Sequence, residues 1–214
     1  MIIQCIGHAS FLIELESGYR IVTDPYDAST GYPVVKTPAD AVLVSHHHGD
    51  HDAVGNVTGW TVMNDKPGKR TLAAGVTVRG VETFHDSVNG AKRGKNVVHV
   101  IEAEGVRVVH LGDLGHELTK EQVVEIGNAD ILLVPVGGFY TIDALAARSV
   151  CSQLKARVVV PMHYRTEYNA GWPIAPVDGF LTLFPWEAER VDLLRVTKAD
   201  LDCQPRLVIL KPIV

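Results

Sequence analysis

Four imidazoles and two carboxylates crowd into the eight residues Ser45-His46-His47-His48-Gly49-Asp50-His51-Asp52. Neutral imidazole is the commonest protein metal ligand, and carboxylates complete the shells of zinc and related divalent ions. The pattern H-x-H-x-D-H therefore reads as a metal-binding loop built from His46, His48, Asp50 and His51, with His47 left to solvent or packing. One short loop cannot fill such a shell, because each ion takes at least three or four ligands. Further donors recur at one kind of place. His85 ends the stretch 76–84, Asp113 follows residues 106–111 through Gly112, and His163 follows residues 158–162. Each stands at the exit of an apolar run, where open α/β sheets place their ligands.

The elements that must hold these residues are legible as two kinds of strand. Residues 10–16 alternate in polarity, meet the turn Ser17-Gly18 and continue into residues 19–23, which predicts an antiparallel hairpin behind a first strand at the N-terminus. The short solid apolar runs 41–44, 106–111, 131–136 and 158–160 suit strands buried on both faces. Thr119-Lys-Glu-Gln122 is a capping box opening a helix that Gly127 stops. From Asp143 to Leu154, Ala144, Ala147, Cys151 and Leu154 recur at helical spacing. Strands alternating with packed helices predict a layered α/β domain.

Bulk composition narrows the function classes. The chain has 214 residues, 46% hydrophobic and 21% charged, a size that one core can serve, so we expect a single domain over 1–214. A net charge of −5 without a basic stripe speaks against nucleic acid as the partner. No apolar run approaches the roughly 18 residues a membrane span needs, and the N-terminus has no signal-peptide pattern. Cys5, Cys151 and Cys203 are odd in number and far apart, which predicts reduced thiols in a cytoplasmic protein. Oligomeric state is left open, a homo-oligomer included.

With these motifs in place, the sequence resembles the metallo-β-lactamase superfamily, whose signature is H-x-H-x-D-H followed by separate His, Asp and His ligands. The resemblance spans the opening hairpin, Thr23-Asp24-Pro25, the His46–Asp50–His51 loop, His85, Gly112-Asp113 and Met162-His163-Tyr164. It implies a four-layer αββα sandwich with metals at one edge of the sheets. It also implies two divalent ions, zinc first with manganese or iron as alternatives: one on His46, His48 and His85, the other on Asp50, His51 and His163, with Asp113 bridging. Gly7-His8-Ala-Ser-Phe11, residues 111–115, Pro135-Val-Gly-Gly138 and Pro161-Met-His-Tyr164 look like the small single-domain branch related to L-ascorbate-6-phosphate lactonase. Thr83-Phe84-His85-Asp86 lacks the glycine that precedes this histidine in many glyoxalase-like members.

The implied chemistry is hydrolysis by a metal-bound hydroxide of a small lactone or ester, with a phosphate on the substrate as an option. Asp113 and Asp50 are the expected catalytic carboxylates. His116, three residues past Asp113, is the histidine expected to reach substrate or move a proton; His110 and His116 also stand as alternatives to His85. A phosphodiesterase or nuclease is the competing class, and a diiron redox protein a third, whose members prefer Glu where this chain has His48. Tyr164 and Arg165 are candidates for an anionic substrate group. Asn89-Gly-Ala-Lys-Arg-Gly-Lys-Asn96 is a basic loop, read either as a solvated hairpin connection or as a flap over a phosphate. Asp24 is either an outer partner of the metal loop or a turn former, His8 is an outer group, His99 belongs to a strand, and Trp172, Phe184 and Trp186 are expected in the core or at an interface.

Overall fold

The computed structural model describes residues 1–202 and 204–213, so the expectation for Cys203 lies outside the described residues. The alternating start of the chain forms β1 (Ile2–Gly7), β2 (Ser10–Glu14) and β3 (Arg20–Thr23), an antiparallel meander that pairs Phe11 with Thr23 and Glu14 with Arg20. Then come β4 (Thr37–Pro38), β5 (Ala41–Leu43), β6 (Val57–Thr58) and β7 (Val62–Asn64), with β5 parallel to both β3 and β7. The long hairpins β8 (Gly68–Ala73), β9 (Val76–Phe84), β10 (Lys95–Ala103) and β11 (Val106–His110) start a second sheet. It grows through α1 (Lys120–Ile126), β12 (Ile131–Pro135), α2 (Ala144–Gln153) and β13 (Val158–Met162), adding parallel strands. After α3 (Asp178–Leu181), β14 (Ala188–Val191) joins this sheet, β15 (Leu194–Arg195) crosses back to β1, and β16 (Arg206–Leu210) returns. The orders are β15-β1-β2-β3-β5-β7 and β14-β16-β13-β12-β11-β10-β9-β8.

The two-residue period of the strands sorts side chains into layers. Ile3, Phe11, Ile13, Ile21 and Leu43 of the first sheet share one cluster with Val78, Ile101, Val108, Leu133 and Val160 of the second, so the main core lies between the sheets. The intervening residues Val100, Val109, Leu132, Val134 and Val159 face the other way and pack under Ile126, Ala147, Val150 and Phe180 of the helices. Phe184 and Trp186 join that layer, as the sequence predicts. The outer face of the first sheet, with Leu12, Val22 and Val42, is covered by Tyr26, Tyr32 and Trp60 on loops and short 3-10 turns.

Helices α1 and α2 begin where local hydrogen bonding favours them. Thr119 Oγ1 accepts from Gln122 N–H while Gln122 Oε1 accepts from Thr119 N–H, which completes the capping box and satisfies two donors of the first turn. Asp143 caps α2 by accepting from Ala146 N–H. Among the described residues no helix is long and apolar enough to cross a membrane.

Leu133 is fully buried between the sheets, whereas Val124 on α1 is 82% exposed. Leu133→Ala should cost about 2–5 kcal/mol of stability through lost burial and a residual cavity. Val124→Ala should change stability by no more than about 0.5 kcal/mol. Urea unfolding followed by circular dichroism checks the pair; equal midpoints would contradict the layer assignment.

Candidate metal centre

Six strands deliver a metal-capable or supporting residue at their carboxyl ends. His8 follows β1, Asp24 follows β3, the His46 loop follows β5 through Val44 and Ser45, His85 follows β9, Asp113 follows β11 through Gly112, and His163 follows β13. Within each sheet these strands run the same way, so their ends share one edge of the sandwich. His8, Asp24 and His163 have φ of 55°, 41° and 52°. Left-handed backbone is uncommon outside glycine and is kept where the surroundings impose it, often at functional sites. Here it turns the chain sharply as it leaves the sheet.

Asp24 organises the metal loop from beneath. Its carboxylate, with no solvent exposure, accepts from Ser45 N–H (2.7 Å), Ser45 Oγ–H (2.6 Å) and His51 Nδ1 (2.8 Å). Burial works to raise its pKa, but the charges of His110 and His51 and the bond to His51 hold it well below the usual carboxylate range. With its hydrogen given to Asp24, Ser45 Oγ accepts from His46 Nδ1 at 3.0 Å. Both imidazoles are thereby anchored through Nδ1 and present Nε2 to the centre, the arrangement that sets tautomer and orientation in metal-ligating histidines. Asp24 is thus a hydrogen-bond partner of the loop, beyond a turn former.

Asp113 is placed by a second buried polar residue. Asn96 Oδ1 accepts from Asp113 N–H (2.9 Å), while its Nδ2 donates to Leu111 O (2.9 Å) and Thr83 Oγ1 (2.8 Å). Gly112 between them has φ of 55°, and a Cβ there would fall 2.4 Å from Asn96 Oδ1 and 2.5 Å from Ser45 Cβ. No larger residue fits this approach. The Asp113 carboxylate ends 3.2 Å from His51 Nε2 through Oδ1, and 3.3 and 3.2 Å from His85 Nε2 and His163 Nε2 through Oδ2.

The donors fall into groups whose atoms lie within 4.8 Å of one another: His46, His48 and His85; His8, Asp50, His51 and His163; and His46, His51 and Asp113. Asp113 therefore lies between the first two. His46 Nε2, His51 Nε2, both nitrogens of His163 and Asp113 Oδ1 are buried without a hydrogen-bond partner. Buried polar atoms rarely go unpaired, and a convergent set of them fits a bound cation. Burial pushes His46 down to about 3 and His8 to about 4, with His163 adding to the second shift, and it also lowers His85. These imidazoles are neutral at physiological pH and carry the lone pair a metal needs. Burial opposes protonation of His51 as well, yet Asp113 and Asp24 raise its pKa well above the ordinary value. Despite burial, neighbouring histidines hold Asp113 and Asp50 ionised.

Other predicted residues are placed differently. His116 is not free to reach substrate: its Nε2 accepts from Phe84 N–H (3.1 Å) and its Nδ1 lies 2.7 Å from Glu117 O, so it buttresses the strand that ends at His85. His110 is likewise engaged by Ala9 O and Gly112 N–H, which removes it as an alternative to His85. His47 is exposed beside Asp52 and Asp65, and His99 is buried in β10 opposite His110. Tyr164 packs against the helix-side core, while Arg165 is exposed. Trp172, expected in the core or at an interface, stands at the centre, its ring 5.2 Å from that of His8 and 5.9 Å from that of Tyr140.

Three features escape sequence reasoning. Tyr140 lies 6.5 Å from His163, ring to ring, and the Arg93 guanidinium stacks 5.4 Å from the Tyr140 centroid. The signal for Tyr140 is its place after β12, the same strand-exit position as the ligands. Asp86 pins the basic loop: its carboxylate accepts from the backbone N–H groups of Val88, Gly90, Lys92 and Arg93 at 2.8–2.9 Å. Against the opposing effect of burial these donors hold it below the usual carboxylate range. The loop is an organised hairpin connection that carries Arg93 to the rim.

Comparison with known proteins agrees with this architecture. Residues 2–163 match the family described as Beta-lactamase superfamily domain. A metal-dependent hydrolase of Thermococcus onnurineus is 32% identical over 206 residues, spanning 82% of this chain and 88% of the relative. Another, of Carboxydothermus hydrogenoformans, is 32% identical over 208 residues, with 83% and 88% covered. The crystal structure of a candidate Zn-dependent hydrolase of the metallo-β-lactamase superfamily from Thermotoga maritima aligns with a TM-score of 0.77 at 43% identity, over 98% of this chain and 97% of that one. A metallo hydrolase from Ignicoccus hospitalis shares the fold at 22% identity, with a TM-score of 0.68 over 99% and 94%. With its matched family, its layered fold and its shared strand edge, the chain belongs to the metallo-β-lactamase superfamily.

Proposed function

We propose that this protein is a hydrolase that holds two divalent ions, zinc first among manganese and iron, and cleaves a small lactone or ester bearing an anionic group. The observation that carries it is the placement of Asp113 between two groups of donors, His46/His48/His85 and Asp50/His51/His163. Ions held by these residues would acidify a nearby water and polarise a carbonyl or phosphoryl oxygen.

The chain's own groups divide the remaining work. Asp113, backed by Asn96, sets the spacing of the two groups. Asp50 is the more open carboxylate, its side chain 20% exposed, and would help to orient the nucleophile. Trp172 and Tyr140 wall the centre with apolar surface that fits the body of a small substrate. Arg93 lies over the Tyr140 ring, its Cζ 5.4 Å from the centroid, and its guanidinium is the kind of group that binds a phosphate or carboxylate. Arg165 is a second exposed cation on the loop after His163, and Tyr164 is the weaker candidate because it packs inward. The motifs shared with the ascorbate-6-phosphate lactonase branch support a lactone, and the net charge of −5 favours a small molecule over nucleic acid. Unpaired, buried Cys5 and Cys151 suit the cytoplasm.

Asp113→Asn should lower turnover in a lactone, ester and phosphodiester panel by more than the roughly 100-fold that loss of an outer hydrogen-bond partner costs. Elemental analysis of the same samples separates lost ions from lost function; a full rate at full metal content would refute the assignment. Arg93→Ala should raise KM about tenfold or more for anionic substrates and leave neutral ones unchanged.

Metal binding should also release protons. His51, raised above the ordinary histidine value, holds a proton that an ion must displace, so apparent zinc affinity should tighten as pH rises from about 6 to 8. Calorimetric titration in buffers of different ionisation enthalpy measures this; pH-independent affinity would contradict it.

A further inference from the structure

His8 is a buried titratable group beside the centre that the hydrolytic scheme leaves without work. It is 4% exposed, and neither ring nitrogen has a hydrogen-bond partner. Its backbone is left-handed, with φ of 55°, and its carbonyl accepts from His163 N–H at 3.3 Å, which ties the β1 exit to the β13 exit. Its ring lies 4.2 Å from that of His163 and 5.5 Å from that of His51, with Trp172 and Tyr32 against its other sides. A side chain held so firmly, with its polar atoms unspent, faces the donors Asp50, His51 and His163.

We propose that His8 is a direct ligand of the ion held by Asp50, His51 and His163, and that it closes that shell. Building on the two-ion reading, this leaves the His46, His48 and His85 group with one protein donor fewer than its neighbour once Asp113 is shared between them. Two distances support a ligand over an outer hydrogen-bond donor. His8 Nε2 and His51 Nε2 each lie 3.5 Å from Asp50 Oδ2. That is long for an N–H···O− bond, which runs about 2.7–2.9 Å. Ligand atoms about 2.0–2.1 Å from one zinc ion in a tetrahedron are by geometry about 3.4 Å apart, close to the observed spacing.

The functional consequence follows from shell counting. With Asp113 shared between the two groups, the ion completed by His8 would have five protein donors, His8, Asp50, Asp113, His51 and His163, and the other four. The group with fewer donors, His46, His48 and His85, also holds the most exposed member, His48, so it is the more open of the two. The two ions are accordingly unequal: the His8 ion is the tightly held one that fixes the centre's charge, and the other receives substrate.

Cobalt(II) titration of metal-free protein, followed by absorption and elemental analysis, tests this with wild type, His8→Asn and His8→Gln. Asn tolerates left-handed backbone, and Gln keeps an N–H donor near the position of Nε2. Both variants should weaken one of two binding steps by more than about 100-fold, beyond the range for an outer partner, and spare the other step. A loss under about 100-fold, or restored affinity in the Gln variant, would overturn the proposal and make His8 a donor to Asp50. A wild type that takes up one equivalent refutes the two-ion reading alone; His8 then stands as a ligand if that step weakens in the variants and falls if it does not. Imidazole nitrogen NMR of labelled wild-type protein needs no variant. The His8 Nε2 resonance should shift into the ligated range on zinc addition, and an unmoved resonance would overturn the proposal.

Discussion

A carboxylate removed from water must be surrounded by compensating charge or by donors, and the centre of this molecule is arranged around two of them. Asp113 and Asp24 are essentially inaccessible to solvent, and each draws histidines from several strand exits. An isolated buried carboxylate would neutralise itself by taking up a proton. Here the neighbouring histidines keep both ionised. His51 stands between them, Nδ1 on Asp24 and Nε2 toward Asp113, so the two carboxylates share one imidazole and their positions are coupled. The breaking of such a buried set by removal of one member is costly, because the others are left uncompensated.

The rest of the fold makes that convergence rigid. Strand ends are fixed by ladders on both sides, and short exits from them aim a side chain with little freedom. Asn96 and Ser45 link the layers: Val97 N–H donates to Ser45 O, while Gly112 packs against both Asn96 and Ser45. The metal loop of the first sheet and the Asp113 turn of the second are thereby held at a separation set by backbone and small residues. Left-handed conformations at Asp24, His163 and His8 are part of the same device, each persisting because hydrogen bonds or packing around it over-determine the turn.

What could be read in the sequence was whatever is local. The capping box at Thr119, the Ser17-Gly18 hairpin and the apolar runs at 41–44, 106–111, 131–136 and 158–160 express short-range preferences and two-sided burial, and each appears as an element. The ligand candidates stand out because His and Asp recur at the exits of apolar runs, and the structure brings all seven of them to one edge. What could not be read depends on which atoms meet across the fold. His116 and His110 have the right type and neighbourhood, yet backbone groups consume their nitrogens. Trp172 looks like a core residue until the loop after His163 folds it onto the centre. Asp86 stands next to a ligand but spends its carboxylate on four backbone donors, which no residue type announces.

The centre is also asymmetric, and the asymmetry has its origin in where each group sits in the sandwich. The Asp50, His51 and His163 group lies under Trp172 and Tyr32 and beside β1, so its imidazoles have lost water on every side. The His46, His48 and His85 group opens through His48 toward solvent. A low-dielectric environment strengthens charge interactions with whatever it encloses, whereas an exposed position exchanges ligands readily. The same six strand exits thus make one half of the centre that is enclosed and another that is more exposed. Arg93 and Tyr140 stand together beside the centre, with Tyr140 also 6.5 Å from His163, ring to ring.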